Sequence, residues 1–474
     1  MLRRLLTATI AAALVVVIGA GPAVANNQAK GSKGGGGGDP TLNPSGDQKA
    51  KRTADYTSTV KLAIADIQAY WKKTFPKVYG ARYDAIPNNR IIAARPGVAL
   101  PRCQGQKLAY KDAAGNAFYC FRSNFVVYDD AGLFPQLFEN FGDFSIALVL
   151  AHEWGHAIQD RAGNADQPTI YKELQADCFA GAWVAHVANG GSKLLSLRAG
   201  NLDTGLAALL RFRDAPGSSP GNPGAHGDGF DRVSSFQQGF DSGPKECAKY
   251  FDTPPAITES STFTTPANAA SGGNLPADQV IPSMVQSLNQ FYSNVEPNYV
   301  KLTIDDVKAY DSSGDPKKLP VCGGGHLTRK QAKDRVIFCI PDKYIAFDEP
   351  YLQHVYDDIG NFGVGTLFAN AWAVYVQTLQ RFPGVSTNEP NAVFGADCYT
   401  GGFSRAMFDA GLLDPGDLDE TIQAFIDSAS AIGVSKNVDL TFARMRAVRD
   451  GFFKGYAACA QFATSASTTS QPSG

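Results

Sequence analysis

An apolar run, Ser145-Ile146-Ala147-Leu148-Val149-Leu150-Ala151, leads directly into His152-Glu153-Trp154-Gly155-His156. The run has the composition of a buried helix, where two imidazoles and a carboxylate are costly unless something satisfies them. On a helix, His152 and His156 are four residues apart and share one face. Two neutral imidazoles there can grip one zinc ion. Glu153, between them, can take a proton from a zinc-bound water.

At 474 residues and 44% hydrophobic content, the chain is long enough for two or three globular domains. Its formal net charge is −2 with acids and bases interspersed, which argues against a nucleic-acid partner. The N-terminus reads as a secretory signal over residues 1–25: Arg3 and Arg4, an apolar stretch Leu5 to Ala20, then the small-residue site Ala23-Val24-Ala25. No later segment is long and apolar enough to span a bilayer, so no transmembrane segment is expected once the signal is removed. The expected location is secreted or extracellular, with tethering to the cell envelope open. Export makes disulfides attainable, and the eight cysteines are even in number.

Two blocks of the chain resemble each other. Residues 26–50 carry a five-glycine run and read as a linker. Residues 254–275 read as a second linker and residues 463–474 as a disordered tail. Between them, blocks over 51–253 and 276–462 share landmarks. Cys103 and Cys120 are 17 apart, as are Cys322 and Cys339. Phe125–Asp129 echoes Tyr344–Asp348, and Ala176-Asp177-Cys178 echoes Ala396-Asp397-Cys398. Gly239-Phe240 precedes Cys247 as Gly451-Phe452 precedes Cys459. The simplest pairing is Cys103–Cys120, Cys178–Cys247, Cys322–Cys339 and Cys398–Cys459, one of three connectivities open to each block. It assumes that Cys103 and Cys120 flank a hairpin turned at Ala114-Gly115-Asn116. Ala151–Gln159 lines up with Ala369–Gln377, so His152 meets Asn370, Glu153 meets Ala371 and His156 meets Val374. The second block reads as a degenerate copy.

A catalytic zinc usually has three protein ligands and an open position. The next helical pattern, from Pro168 to Trp183, offers Glu173 as the third ligand. Asp177, one turn on, can accept a hydrogen bond from a ligating imidazole. Glu173 meets Val393 in the second block and vanishes with the histidines, whereas Asp177 persists as Asp397. That contrast predicts bonds from His152 to Asp177 and from Asn370 to Asp397. His186, His326 and His354 have no partner at ligand spacing.

His152-Glu-Trp-Gly-His156 followed by Glu173-Leu-Gln-Ala-Asp177-Cys-Phe-Ala-Gly181 resembles the bacterial putative neutral zinc metallopeptidase family, a gluzincin-like group. The resemblance covers roughly residues 55–250. It implies that His152, His156 and Glu173 bind zinc and that Glu153 is the catalytic acid/base. It also implies a downstream His-Gly pair and an arginine, matched here by His226-Gly227 and Arg232. His226 lies in a Gly/Pro-rich loop. It reads either as a catalytic donor to the oxyanion of a tetrahedral intermediate or as a solvated loop histidine. Its counterpart is Val438, and Arg232 meets Arg444, which makes the arginine's role structural.

The expected fold class is α+β, a zincin-like metalloprotease domain duplicated in tandem with a degenerate second copy. First helices are expected over Thr57 to Phe75 and Val280 to Val295. By analogy with zincin-like folds, Phe125–Asp129 is expected to form the cleft edge. The leading function is a secreted endopeptidase with one Zn2+ per chain, acting on a protein or peptide substrate. The second repeat is a candidate for binding another protein. Two alternatives stand: a non-catalytic extracellular binding module with structural zinc, and a zinc amidase acting on a cell-wall linkage.

Overall fold

A computed structural model describes residues 43–44, 56–222, 224–258, 262–387, 389–432 and 440–464. The leader over 1–25, most of the glycine-rich segment 26–50, Val438 and the tail from 465 lie outside the described residues. The chain divides into two compact units. The first comprises residues 1–198, 220–227 and 235–256; the second comprises 199–219, 228–234 and 257–474.

In the first unit, helix α1 (Tyr56–Tyr79) buries Val60, Ala63, Ile67, Tyr70 and Trp71, the spacing of one helical face. It runs four residues beyond the expected end at Phe75, carrying Pro76 in its last turn. A three-stranded sheet follows, in the order β1 (Ile91–Ala94), β3 (Phe125–Asp129), β2 (Ala117–Cys120). β3 pairs in parallel with β1 and antiparallel with β2. All five residues of β3 are buried, as suits a central strand built from Phe, Val, Val and Tyr. This corrects the expectation that Phe125–Asp129 forms an edge; the edge strand on that side is β2. The hairpin around the first cysteine pair differs too. Cys103 pairs across a tight turn with Gln106, while Cys120 pairs with Phe125. Left-handed backbone at Gln104 and Gly105 makes the first turn, so Cys103 and Cys120 belong to two hairpins stitched together.

Helices α2 (Asp143–Arg161) and α3 (Thr169–Ala188) form the core of this unit and are buried along nearly their whole lengths. They touch at Gly155, where an added Cβ would lie 2.6 Å from the Ala176 Cα. Helix α4 (Gly229–Ser242) contributes its C-terminal half to this unit. It crosses α3 more closely still: a Cβ on Gly181 would meet the Phe236 carbonyl at 1.9 Å, and one on Gly239 would meet the Cys178 carbonyl at 1.8 Å. The Cys178–Cys247 disulfide ties α3 to the chain just beyond this crossing.

The second unit has elements in the same order. They are α5 (Ala277–Val295), then a sheet ordered β4 (Val307–Tyr310), β6 (Tyr344–Asp348), β5 (Val336–Cys339), then helices α6 (Asn361–Leu379) and α7 (Pro390–Asp409). β6 is again central, buried and parallel to its first neighbour. Disulfides join Cys322 to Cys339 and Cys398 to Cys459. Helix α8 (Asp417–Ile432) follows, and α7 crosses α9 (Leu440–Lys454) through Gly401 and Gly451, whose added Cβ atoms would meet the Val448 carbonyl at 2.0 Å and the Cys398 carbonyl at 1.8 Å. The helix at Asn201–Arg211 belongs to this unit, and its Asp203 carboxylate accepts the Thr441 and Phe442 backbone N–H groups at the start of α9, at 3.2 and 2.7 Å. The Pro/Thr-rich stretch 254–275 is more structured than its composition suggests: Pro266–Ala270 is helical, and the Asn268 amide donates to Asp414 at 3.0 Å.

The Gly155 contact leaves no room for a methyl group against helix backbone. Gly155→Ala is expected to lower stability by about 1–3 kcal/mol through forced separation of α2 and α3. Thermal unfolding followed by circular dichroism checks this; an unchanged midpoint would show that the two helices part without cost.

Candidate metal centre

The polar groups of α2 and α3 sit at the seam between them. His152, Glu153 and His156 are 8%, 5% and 7% exposed, and Glu173 and Asp177 are 2% and 0%. His152 Nδ1 lies 2.7 Å from Asp177 Oδ1. His156 Nδ1 lies 3.0 Å from Gln159 Oε1. The Gln159 amide is oriented by donating its Nε2–H to the Lys172 carbonyl at 2.6 Å, which leaves Oε1 as acceptor towards His156. Both Nδ1 atoms are therefore placed to donate, which leaves the two Nε2 lone pairs as the positions open to a metal ion or a proton.

Those lone pairs converge. The two Nε2 atoms are 3.2 Å apart, and Glu173 oxygens lie 3.2 Å from His152 Nε2 and 3.3 Å from His156 Nε2. Such a cluster of acceptors repels itself unless a cation sits among them. Tetrahedral ligands about 2.0–2.1 Å from zinc lie roughly 3.3–3.4 Å apart, so the donor set and its spacing fit that ion. A proton is the only other occupant: burial opposes charge on His152, but Asp177 and Glu173 raise its pKa to about 10. Burial likewise opposes charge on Glu173, yet the imidazoles of His156, His152 and His226 hold its carboxyl well below the usual carboxylate range.

Glu153 has a different environment. The Tyr119 backbone N–H on edge strand β2 donates to it, while its Oε2 is buried with no hydrogen-bond partner among the described residues. Burial pushes its carboxyl up, against the pull of His152 and His156. A carboxylate held this way is poised to accept a proton near neutral pH. His226, 9% exposed in the loop 220–227, acts electrostatically on Glu173 and so belongs to the same neighbourhood. Arg232 is buried and donates to the Phe212 carbonyl at 2.5 Å.

Sequence reasoning assigned no role to several neighbours. Gln159 orients His156, and its one signal was persistence in register as Gln377. Asp160 accepts the Tyr119 hydroxyl and the Arg122 backbone N–H, both at 2.8 Å, which pins the end of β2 to α2. The Phe121 ring lies 5.7 Å from the His156 ring, and the Lys172 ammonium sits 4.9 Å above Phe121. Burial lowers the Lys172 pKa, with Glu173 and Asp166 opposing.

The second unit replaces this chemistry with self-contained pairing. The Asn370 amide donates to Asp397 Oδ1 at 2.8 Å. The buried Arg444 guanidinium grips the same carboxylate, with Nη2 at 2.8 Å from Oδ1 and Nε at 3.0 Å from Oδ2, and stacks over Phe425 at 4.0 Å. Cys322, Cys339 and Asp342 also lie close together, but both sulfurs are spent in a disulfide and offer no thiolate.

The protein-family model for putative neutral zinc metallopeptidase matches residues 5–251. The uncharacterized protein YpfJ of Escherichia coli strain K12 is 29% identical over 233 residues, covering 44% of this chain and 73% of the relative. The same-named protein of Escherichia coli O6:H1 matches equally. No solved structure matches the chain at a significant level. With more than half of its length matched by the family model, the chain belongs to the putative neutral zinc metallopeptidase family.

Proposed function

We propose that the protein is a secreted zinc endopeptidase whose first repeat, over 51–253, is active and whose second, over 276–462, has lost its chemistry. The observation that carries this reading is the convergence of three potential ligand atoms, His152 Nε2, His156 Nε2 and a Glu173 oxygen, beside a buried Glu153 oxygen that has no hydrogen-bond partner among the described residues. A purely structural zinc site has no use for that carboxylate. One zinc per chain would be held by His152, His156 and Glu173; when bound, it lowers the pKa of a water and polarises the scissile carbonyl. Asp177 holds His152 in the required tautomer, and Gln159 does the same for His156. Glu153 takes the proton from water and passes it to the leaving amine. His226 donates to the developing oxyanion from its loop. The four disulfides and the leader-like N-terminus support an extracellular setting. The repeated element order, the doubled glycine crossings and the matching Asn370–Asp397 bond support the duplication, and the second repeat, in which Asn370, Ala371, Val374 and Val393 stand for the four site residues, is the one proposed to bind another protein.

Glu153→Gln is expected to keep zinc and lose peptide hydrolysis by at least about a hundred-fold, the usual worth of a general base. Metal analysis beside a casein-cleavage assay checks this, and retained hydrolysis would refute the assignment. His226→Ala is expected to reduce kcat by roughly a hundred-fold with zinc content unchanged, as for one lost oxyanion donor; full activity would remove His226 from the mechanism. Zinc must displace the proton that the metal-free site holds on His152. Acidification below about 10 therefore favours the protonated site, and apparent zinc affinity should fall by up to about ten-fold per pH unit. Chelator competition at pH 8 and pH 6 measures this, and equal affinities would contradict proton displacement.

A further inference from the structure

We propose that Lys172 selects substrates bearing a carboxylate close to the scissile bond, either an acidic side chain or the free C-terminus of a peptide. This inference rests on the peptidase reading and specifies its substrate class.

Three observations support it. The first is a buried ammonium without a direct ion pair, with the Glu173 and Asp166 carboxylates acting on it only from a distance. Lys172 is 5% exposed, the same as Glu153. Its ammonium donates to the Ala165 carbonyl at 3.1 Å and lies over the Phe121 ring, yet no carboxylate among the described residues stands within ion-pair distance of it. A buried ammonium with no carboxylate in direct contact is incompletely solvated and is a ready partner for an incoming anion.

The second is position. Lys172 immediately precedes Glu173 on α3, and the Phe121 ring neighbours both its ammonium, at 4.9 Å, and the His156 imidazole, at 5.7 Å. Phe121 directly follows edge strand β2, whose backbone meets Glu153 at Tyr119. Arg122, next in the chain, adds a second cation at the rim, partly balanced by Asp166 at 2.6 Å.

The third comes from the second repeat, which serves as an internal control. Gln377 donates to the Ala392 carbonyl at 2.8 Å, the counterpart of the Gln159 bond to the Lys172 carbonyl. The backbone device survives there with alanine in place of lysine, so this helix start does not require the ammonium. Phe121 and Arg122, which follow Cys120, correspond to Ile340 and Pro341, which follow Cys339. The cation, its aromatic platform and the second rim cation are all missing from the repeat that lacks the metal ligands.

The test is cleavage of a proteome-derived peptide library, with free and amidated C-termini in separate arms, by the full-length protein and by Lys172→Met, Lys172→Glu and Glu153→Gln. The wild type is expected to favour Asp or Glu at one fixed position beside the cut, or to require a free C-terminus a fixed distance from it. Loss of cleavage in the amidated arm identifies the C-terminal source. In Lys172→Met, with zinc content and melting temperature unchanged, the preference should fall about ten-fold, the worth of one charge-assisted contact. In Lys172→Glu it should turn towards Lys or Arg. Glu153-dependent cleavage without a carboxylate preference, or a preference untouched in Lys172→Met, would overturn the proposal and leave Lys172 as a clasp on the Ala165 turn. Absence of any Glu153-dependent cleavage would instead overturn the peptidase reading, and this proposal with it. Should Lys172→Met fold poorly, fluorescence anisotropy of acidic and neutral peptides on Glu153→Gln alone decides: equal affinities count against a carboxylate subsite.

Discussion

The close approach of two helices at Gly155 and Ala176 governs the candidate site. His152 and His156 are on one helix and Glu173 on the other, and their candidate ligand atoms meet at 3.2–3.3 Å because nothing larger than hydrogen stands between the backbones. In the second unit the position aligned with Gly155 is Ala373, buried against Ala396. There the helices accommodate a methyl group at the seam, and the residues flanking it no longer need to share an ion. Glycine in mid-helix costs about 1 kcal/mol against alanine, and at this particular seam only the unit with the converging His152, His156 and Glu173 side chains carries it.

Charge is handled differently on the two sides of the comparison. The first unit concentrates acceptors: two imidazole nitrogens, the Glu173 carboxylate and the orphan oxygen of Glu153. The second unit neutralises a buried carboxylate internally, with Arg444 and Asn370 filling the lone pairs of Asp397. Buried charge is tolerable when fully paired and costly when left short. One arrangement therefore requires something from outside the chain, and the other is complete.

Much of this was legible in the sequence because the signals were local. The i, i+4 spacing of His152 and His156 and the downstream carboxylates on an apolar helix follow from helix periodicity, and the contrast between Glu173 and Asp177 follows from laying the two blocks side by side. The Asn370 to Asp397 bond could be anticipated because an amide in place of an imidazole preserves a donor at the same point. The sheet was less legible. Phe125–Asp129 has the same composition whether a strand is central or at an edge, since burial on both faces depends on partners distant in sequence. The turn at Gln104-Gly105 hides because glutamine gives no hint of left-handed backbone. Gln159, Tyr119 and Lys172 act through a carbonyl, an N–H and a ring face, features that no residue-type pattern encodes.

The division of the chain has a consequence for its synthesis and inheritance. Residues 199–219 and 228–234 pack with the unit that resumes at Ile257, while 220–227 and 235–256 belong to the first. Helix Asn201–Arg211 buries Leu206 and Leu209 there, and its Asp203 caps the start of α9. Domains ordinarily fold in order as they leave the ribosome. Here a helix made early waits, with apolar side chains uncovered, for partners near residues 417–454. A gene fragment ending just before Ile257 would encode that helix without its partners, so the two units are best propagated as one indivisible reading frame.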